Sequence, residues 1–379
     1  MIDPKELVDF LKSKGIMFYA GVPDSLMKEF CTCVNEIVPH GMHVITANEG
    51  GAVALAAGRH LATGEEAVVY MQNSGLGNSV NPLLSLADEE VYSIPMLVFI
   101  GWRGEPGKHD EPQHMKQGKV MEGMLKAMDL SYAVLEDNMQ DAVMTLTNAI
   151  ETMRERSCPF IVIVRDGTFG KFDKTSGGTK EYLLSREEAI GIILQSVSRK
   201  DIIVSTTGKA SREVFEYRKH NGQGHEQDFL TVGSMGHSIM IALGIAMSKP
   251  DRKVVVIDGD GSALMHMGSL AITGTRAPGN LLHIVLNNGA HESVGGQPTA
   301  AFSVDLPKIA TACGYGLSMR AVNAEELAAA LEMARDAQGP VFIEARLDLR
   351  SRKDLGRPDK TPVENKKAFM NFILNGQSN

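Results

Sequence analysis

The chain has 379 residues, 43% hydrophobic and 22% charged, a composition typical of a globular protein and a length that suits two domains. Its formal net charge of −8 argues against non-specific nucleic-acid binding. The charged start MIDPKELVDFLKSKG does not resemble a signal peptide, no apolar run is long enough to cross a bilayer, and four sparsely placed cysteines suit reduced thiols, so we expect a cytoplasmic protein with no membrane partner.

Short apolar segments alternate with helical periodicity through the first half of the chain. Apolar and small residues recur at helical spacing from Glu49 to Leu61 and from Asp141 to Arg154, which predicts two helices there. Segments rich in β-branched residues predict five strands, at 16–22, 43–47, 67–74, 95–102 and 159–167. The polar, glycine-bearing residues 172–184 then predict a linker.

The same alternation starts again in the second half, where five further strands are predicted at 202–208, 228–234, 253–261, 281–288 and 340–347. Near-continuous apolar strands that alternate with helices indicate parallel sheets covered on both faces. We therefore predict two doubly wound α/β domains, residues 1–171 and 185–379. Because ligands of such sheets bind beyond the carboxyl ends of the strands, the residues that follow each strand are the candidates for function.

The strand ends of the second half are polar and rich in glycine, reading TTGKAS, GSMGHS, DGDGSA and NNGAHES. Glycine lets backbone N–H groups approach an anion, and a helix start adds its dipole, so these segments predict a phosphate or diphosphate cradle. Asp260 and Asn288 add oxygen ligands of the kind that Mg²⁺ or Ca²⁺ prefers. Taken singly, each motif is also a common turn or helix cap. A dinucleotide fingerprint is disfavoured, because GLGNSVN and GDGSAL both lack its third glycine.

The combination of these motifs is more specific than its parts. Gly259-Asp260-Gly261, followed after 25 residues by Asn287-Asn288, resembles the cofactor motif of thiamine diphosphate-dependent enzymes. The resemblance implies that Mg²⁺ is held by the side chains of Asp260 and Asn288 and by the backbone carbonyl of Ala290. It also implies a set of residues around the cofactor's diphosphate: Gly208, Lys209, Gly259, Gly261, Ser262 and Asn288.

The resemblance makes two further demands on the sequence. A glutamate should begin a helix and face the aminopyrimidine ring, and Glu49 in TANEGGAVALAAGRHLATG meets this requirement. In GSMGHS, Met235 is expected to wedge beneath the two rings, and Gly233 is expected to offer its carbonyl to the pyrimidine's amino group. The alternatives are a helix-start acid favoured by the dipole for Glu49 and ordinary core filling for Met235.

The two-domain organisation, without a central third domain, resembles the phosphonopyruvate and sulfopyruvate decarboxylases. GVPDSL, YMQNSGLGNSVNPL, GWRGEPGKHDEPQH and SRKDLGRPDKTP are especially similar to the phosphonopyruvate enzymes. This implies decarboxylation of 3-phosphonopyruvate in phosphonate biosynthesis, through thiamine ylide addition and enamine protonation. It also implies at least a homodimer with the cofactor at the subunit interface. Sulfopyruvate decarboxylation and an acetolactate synthase-type carboligation stay open as alternatives.

An anionic 2-keto acid requires cations and hydrogen-bond donors, and the first domain offers them. Glu49, His114 and Asp24 are the candidates for catalysis, although Asp24 could equally cap a helix. The candidates for substrate binding are Ser25, Asn73, Ser74, Arg103, Lys108 and His109, although His109 could equally be a solvated loop residue. The basic tail 351–360 is expected either to close over the substrate or to be a solvated run of charges.

Overall fold

The computed structural model describes residues 1–173, 182–352 and 354–375. The chain forms two compact units, Met1–Gly177 with His291–Pro298 and Gly178–Ala290 with Thr299–Asn379. Of the predicted linker 172–184, residues 174–181 lie outside the described residues, and the predicted domain boundaries stay a prediction. Within the described residues, no helix is both long and apolar enough to cross a membrane.

The first unit is built on one parallel sheet. Its strands are β1 (Phe18–Gly21), β2 (His43–Ile45), β3 (Ala67–Gln72), β4 (Leu97–Gly101), β5 (Ser131–Val134) and β6 (Phe160–Val164). They pair in the order β2-β1-β3-β4-β6-β5, with every pairing parallel. From β1 the chain adds β2 on one side and then β3 on the other, so the strand order changes direction between β1 and β3. This is the doubly wound arrangement predicted from the sequence.

Helices cover both faces of this sheet, and successive strand residues serve opposite faces. The helices are α1 (Pro4–Ser13), α2 (Lys28–Ile37), α3 (Glu49–Thr63), α4 (Leu76–Pro82), α5 (Pro112–Ala127) and α6 (Met139–Arg156). Val68 on β3 belongs to the core cluster that contains residues of α1, α2 and α6, whereas Val69 belongs to the cluster that contains residues of α3 and α5. Burial of alternate side chains on two faces explains why the strands read as continuous apolar runs.

The second unit repeats the design. Its main strands are β7 (Ile202–Ser205), β8 (Asp228–Leu230), β9 (Val254–Gly259), β10 (Leu281–Asn287), β13 (Leu317–Ala321) and β14 (Val341–Arg346). They form a parallel sheet in the order β13-β14-β10-β9-β7-β8. Two short strands that follow β10 in the chain, β11 (Ala290–His291) and β12 (Gln297–Pro298), pair with each other, and all of their residues except Ala290 belong to the first unit.

The helices of the second unit surround its sheet in the same manner. They are α7 (Arg186–Ser196), α8 (Lys209–His220), α9 (Ser238–Ser248), α10 (Asp260–Met265), α11 (Gly268–Arg276), α12 (Leu306–Ala312), α13 (Ala324–Met333) and α14 (Pro362–Asn375). Ser185 and Glu188 form a capping box that starts α7, since each side chain bonds the other residue's backbone N–H. Two parallel α/β sheets therefore confirm the predicted fold class.

Two strands of the six-stranded sheets, and the short strands β11 and β12, were not predicted from the sequence. Both β5 and β13 lie at an edge of a sheet, where a strand has one neighbour instead of two. Most of their residues are only partly buried, so SYAV and LSMRA show no continuous apolar run. Edge strands need less hydrophobic sequence than central ones, and the pattern that identified the central strands does not apply to them.

Candidate active site

Glu49 begins α3 directly after Asn48, whose side chain caps the helix by accepting from the Gly51 N–H at 2.8 Å. The Glu49 side chain is buried, and its Oε2 accepts a hydrogen bond from Asn78 Nδ2 at 2.7 Å. Gly75 lies so close to the Glu49 carboxylate that a Cβ there would force that carboxylate to shift. Burial raises the pKa of this carboxyl, and the Asn78 bond opposes that rise only partly. A buried carboxylate of raised basicity favours a ligand that shares a proton with it.

Asp24 follows β1 and is completely buried. Its Oδ1 accepts from Gln72 Nε2 at 2.8 Å, and its Oδ2 accepts from the Leu26 N–H at 3.2 Å. Burial raises the pKa of the Asp24 carboxyl against the opposing effects of the Gln72 bond and the Arg103 charge. The N-cap of α2 is Met27 and no side chain caps that helix, so the expectation that Asp24 caps it is wrong, and the Leu26 bond only closes a local turn. The catalytic role of Asp24 stays a prediction, which the raised pKa fits. Gln72, at the end of β3, was not among the predicted residues.

A polar cluster, which we call the Arg103 cluster, joins Ser25, Arg103, Asp110 and His114. Arg103 donates from Nη1 to Ser25 Oγ at 2.6 Å, from Nε to Asp110 Oδ2 at 2.8 Å and from Nη2 to Asp110 Oδ1. His114 Nδ1 lies 3.0 Å from the same Asp110 Oδ1. Burial alone would raise the pKa of Asp110, but hydrogen bonds from Arg103, His114 and the Gly104 N–H outweigh it and hold that pKa well below its usual range. Asp110 therefore stays ionised and fixes the side chains of Arg103 and His114.

The other predicted substrate residues divide into two groups. Asn73 Nδ2 donates to the Arg103 carbonyl at 2.7 Å, so Asn73 contacts the Arg103 cluster. Ser74 Oγ donates at 2.8 Å to Oε1 of Gln72, the residue that bonds Asp24. Lys108 is exposed and pairs with Glu105 at 2.7 Å, and His109 is exposed as well. The structure thus does not bring Lys108 and His109 into the Arg103 cluster.

In the second unit, Asp260 begins α10 directly after β9, and only 4% of its surface is exposed. Thr299 Oγ1 donates to Asp260 Oδ2 at 2.5 Å. Burial raises the pKa of the Asp260 carboxyl to about 6, because the Thr299 bond and two backbone N–H groups only partly stabilise the charge. Its neighbour Asp258 is different, since hydrogen bonds hold its pKa below the usual value despite burial. A buried carboxylate of this kind is stabilised by a bound cation.

Ser262 connects three of the predicted cofactor segments. Its hydroxyl accepts from Thr206 Oγ1 at 3.0 Å and from the Gly236 N–H at 3.0 Å. The turns that follow β7, β8 and β9 are therefore held together at the carboxyl edge of the sheet. Gly233 and Met235 lie on the second of these turns and are partly buried.

Gly208 and Lys209 begin α8, and Gly208 occupies the N-cap position with φ of 90°, a conformation that favours glycine. Because glycine has no side chain, no side-chain hydrogen bond from the N-cap residue caps this helix. Gly259 is the N-cap of α10, and Gly261 lies buried in that helix's first turn. The predicted diphosphate residues thus surround two helix N-termini, which attract anions.

The turn after β10 is held in place by a hydrogen bond to Glu344 on β14. Asn287 Nδ2 donates to Glu344 Oε1 at 2.7 Å, while Asn287 Oδ1 accepts from the Gly289 N–H at 3.0 Å. Asn288 Oδ1 accepts from the Ala290 N–H at 3.2 Å. These contacts give the turn a fixed shape. Neither Glu344 nor Thr299 stands out in the sequence, because each acquires its role only through strand pairing or loop packing.

The donor set of this edge fits Mg²⁺. One carboxylate, one amide oxygen and one backbone carbonyl, from Asp260, Asn288 and Ala290, are all hard oxygen ligands. The described residues contain no group of three His, Cys, Asp or Glu side chains that could hold a metal ion. The expected set contains only one such side chain, so the lack of such a group among the described residues does not argue against it.

Both halves of the chain match models of one protein family. Residues 5–128 match the N-terminal TPP binding domain of thiamine pyrophosphate enzymes, and residues 206–345 match their C-terminal TPP binding domain. The chain belongs to the thiamine pyrophosphate enzyme family, which confirms the predicted cofactor, thiamine diphosphate. The predicted Mg²⁺ stays a proposal.

Three curated relatives indicate which kind of enzyme in this family the chain resembles. The phosphonopyruvate decarboxylase of Streptomyces viridochromogenes is 35% identical, covering 98% of this chain and 95% of its own length. The phosphonopyruvate decarboxylase of Streptomyces hygroscopicus is 34% identical, covering 98% of this chain and 94% of its own length. The sulfopyruvate decarboxylase of Methanosarcina acetivorans is 30% identical and covers 86% of each chain. The resemblance to phosphonopyruvate and sulfopyruvate decarboxylases that the sequence indicated is confirmed.

Proposed function

We propose that this chain decarboxylates 3-phosphonopyruvate to phosphonoacetaldehyde and carbon dioxide, as a step of phosphonate biosynthesis. The observation that carries the proposal is the similarity to two phosphonopyruvate decarboxylases over 98% of the chain. The Arg103 cluster supports it, because a fixed guanidinium, a hydroxyl and an imidazole suit an anionic keto acid. Thiamine diphosphate supplies the electron sink that the loss of carbon dioxide from a 2-keto acid requires.

The residues of this chain would bind, orient and move protons around that cofactor. Glu49 would hold the aminopyrimidine ring through a hydrogen bond to a ring nitrogen, and Asn78 and Gly75 keep its carboxylate in position. Asp260, Asn288 and Ala290 would hold Mg²⁺, and Gly208, Lys209 and Ser262 would contact the diphosphate. Asp24 and His114 are the two candidates for delivering the final proton to the product.

The direct test is carbon dioxide release from 3-phosphonopyruvate with and without thiamine diphosphate and Mg²⁺. We expect release that requires the cofactor and gives one phosphonoacetaldehyde per carbon dioxide, measured by trapping the aldehyde. Absence of release by a chain that binds the cofactor would refute this substrate assignment.

Sulfopyruvate is the second candidate substrate, supported by the relative from Methanosarcina acetivorans. A phosphonate can carry two negative charges near neutral pH, whereas a sulfonate carries one. Parallel measurements of kcat/KM for the two substrates distinguish them. A higher kcat/KM for sulfopyruvate would make sulfopyruvate decarboxylation the function of this chain.

Arg103→Lys should raise the KM for the keto acid roughly tenfold, since lysine keeps the charge but cannot bond Ser25 and Asp110 together. Steady-state kinetics at saturating cofactor measure this change. Lys116→Ala is the matched control, because Lys116 is an exposed cation on the same helix as His114. An unchanged KM in Arg103→Lys would remove the Arg103 cluster from substrate binding.

We further propose that the minimum active species is a homodimer in which Glu49 of one chain and Asp260 of the other serve one cofactor. Mixing inactive Glu49→Gln and Asp260→Asn chains tests this, because a mixed dimer would then contain one intact site. After dissociation and random reassembly, equal amounts should recover about a quarter of the wild-type activity. If the mixture stays as inactive as its components, each site is built from a single chain.

A further inference from the structure

The chain after β14 crosses the helices that begin the second unit. We call this segment the C-terminal strap and define it as Ser351, Arg352 and residues 354–356. Arg352 donates from Nε to Glu187 of α7 at 3.0 Å and from Nη2 to Glu216 of α8. One guanidinium therefore joins the strap to two helices. Arg352 is therefore paired and not part of a solvated run of charges, whereas the expectation that the basic tail closes over the substrate stays a prediction.

Backbone contacts fix the far end of the strap to α8 as well. The Gly356 N–H donates to Glu216 Oε1 at 2.6 Å. Arg212 of α8 donates from Nε to the Gly356 carbonyl at 2.7 Å and from Nη2 to the Leu355 carbonyl. The Leu355 side chain is buried. The strap is thus attached along two turns of α8 by charged hydrogen bonds, the stronger class of such bonds.

The near end of the strap reaches the first residue of α8. Lys209 Nζ donates to Ser351 Oγ at 2.5 Å. Ser351 directly precedes Arg352, so the ion pairs of Arg352 determine where the Ser351 hydroxyl lies. The ammonium group of Lys209 is in this way held by a residue more than 140 positions later in the chain.

We infer that the C-terminal strap sets the affinity for thiamine diphosphate by positioning Lys209 and the first turn of α8. This inference rests on the proposed function, in which Lys209 and Gly208 contact the diphosphate. A lysine side chain has several rotatable bonds, and a hydroxyl that holds its ammonium in one place reduces the entropy lost when an anion binds. Arg352 is the positioning residue, since it acts on Lys209 only through Ser351 and α8.

The experiment measures the Kd of thiamine diphosphate in the presence of Mg²⁺ by circular dichroism, using the full chain. Arg352→Ala should raise this Kd roughly tenfold, a typical effect of residues that support a ligand-binding group. Arg352→Lys should be intermediate, because an ammonium can pair with one of the two glutamates at a time. Ser351→Ala, which leaves both ion pairs in place, should raise the Kd about threefold.

A purely structural role gives a different pattern. The inference predicts that the KM for the keto acid stays unchanged in Arg352→Ala and that kcat recovers when the cofactor is saturating. Arg335→Ala is the matched control, because Arg335 forms an exposed ion pair with Glu332 in the same unit. An unchanged Kd in Arg352→Ala, or a kcat that does not recover at saturating cofactor, would overturn the inference.

Failure of the inference is distinguishable from failure of the proposed function. Wild-type chain that binds no thiamine diphosphate would refute the proposed function itself. Wild-type chain and Arg352→Ala that bind the cofactor equally would refute only the role of the strap. Cofactor binding without decarboxylation of either keto acid would refute the substrate assignment and leave the strap's role intact.

Discussion

Glu49→Gln should lower kcat by at least ~10³-fold, within the range that proton transfer by a positioned side chain contributes. Glutamine has nearly the same shape, and its Oε1 can still accept the hydrogen bond from Asn78, so packing beside Gly75 is preserved. The change removes the buried, basic carboxylate that would share a proton with the aminopyrimidine. The measurement is single-turnover carbon dioxide release from 3-phosphonopyruvate at saturating cofactor.

Two comparisons make the Glu49→Gln result interpretable. Its Tm should equal or exceed that of the wild type, because no packing atom is lost and burial raises the pKa of the Glu49 carboxyl, so its charge costs stability in the fold. Glu151→Gln on α6 is the control for the same chemical change at an exposed helix position, and it should retain full activity. Turnover by Glu49→Gln within tenfold of the wild type would exclude Glu49 from the proton transfers.

The central strands and the fold class could be predicted because burial on both faces demands continuous apolar sequence. The predicted strands ran past the observed ends, for example to Gly208 where β7 ends at Ser205, because polar turn residues follow without a break in the pattern. The edge strands β5 and β13 escaped prediction for the opposite reason. Their residues are half-exposed, and their existence depends on the neighbouring strand more than on their own composition.

The residues of the candidate site also divide into those that could be predicted from the sequence and those that could not. Glu49, Asp260 and Asn288 could be proposed from the sequence because the cofactor motif fixes their type and spacing. Asp110 and Gln72 could not, although both lie within stretches that resemble the decarboxylases. An aspartate in a polar loop or a glutamine at a strand end is common, and only the structure brings Asp110 to Arg103 and Gln72 to Asp24. Supporting contacts depend on which residues the fold brings together. A single sequence shows no fixed spacing that would identify them.

If Asp260 is a metal ligand, as we propose, Asp260→Asn should weaken thiamine diphosphate binding in the presence of Mg²⁺ by at least roughly 100-fold, because removing a ligand costs more than removing its support. Asparagine keeps the size and can still accept from Thr299 Oγ1, but it has no charge to offer the metal. Circular-dichroism titration with the cofactor at several Mg²⁺ concentrations measures the loss. Asp251→Asn, an exposed aspartate in the same unit, is the control and should bind normally.

The same variant should have an opposite effect on the protein without metal. The pKa of Asp260 is raised to about 6 in the fold, so its contribution to stability is present below pH 4 and is lost as pH rises through 6. Above pH 6 the buried carboxylate is charged and destabilises the metal-free fold, and Asp260→Asn removes that cost. At pH 7.5 we therefore expect a Tm without metal equal to or above that of the wild type, and no rise in Tm when Mg²⁺ and cofactor are added. A lower Tm without metal, together with an intact rise on adding them, would mean that Asp260 stabilises the fold and does not bind the metal.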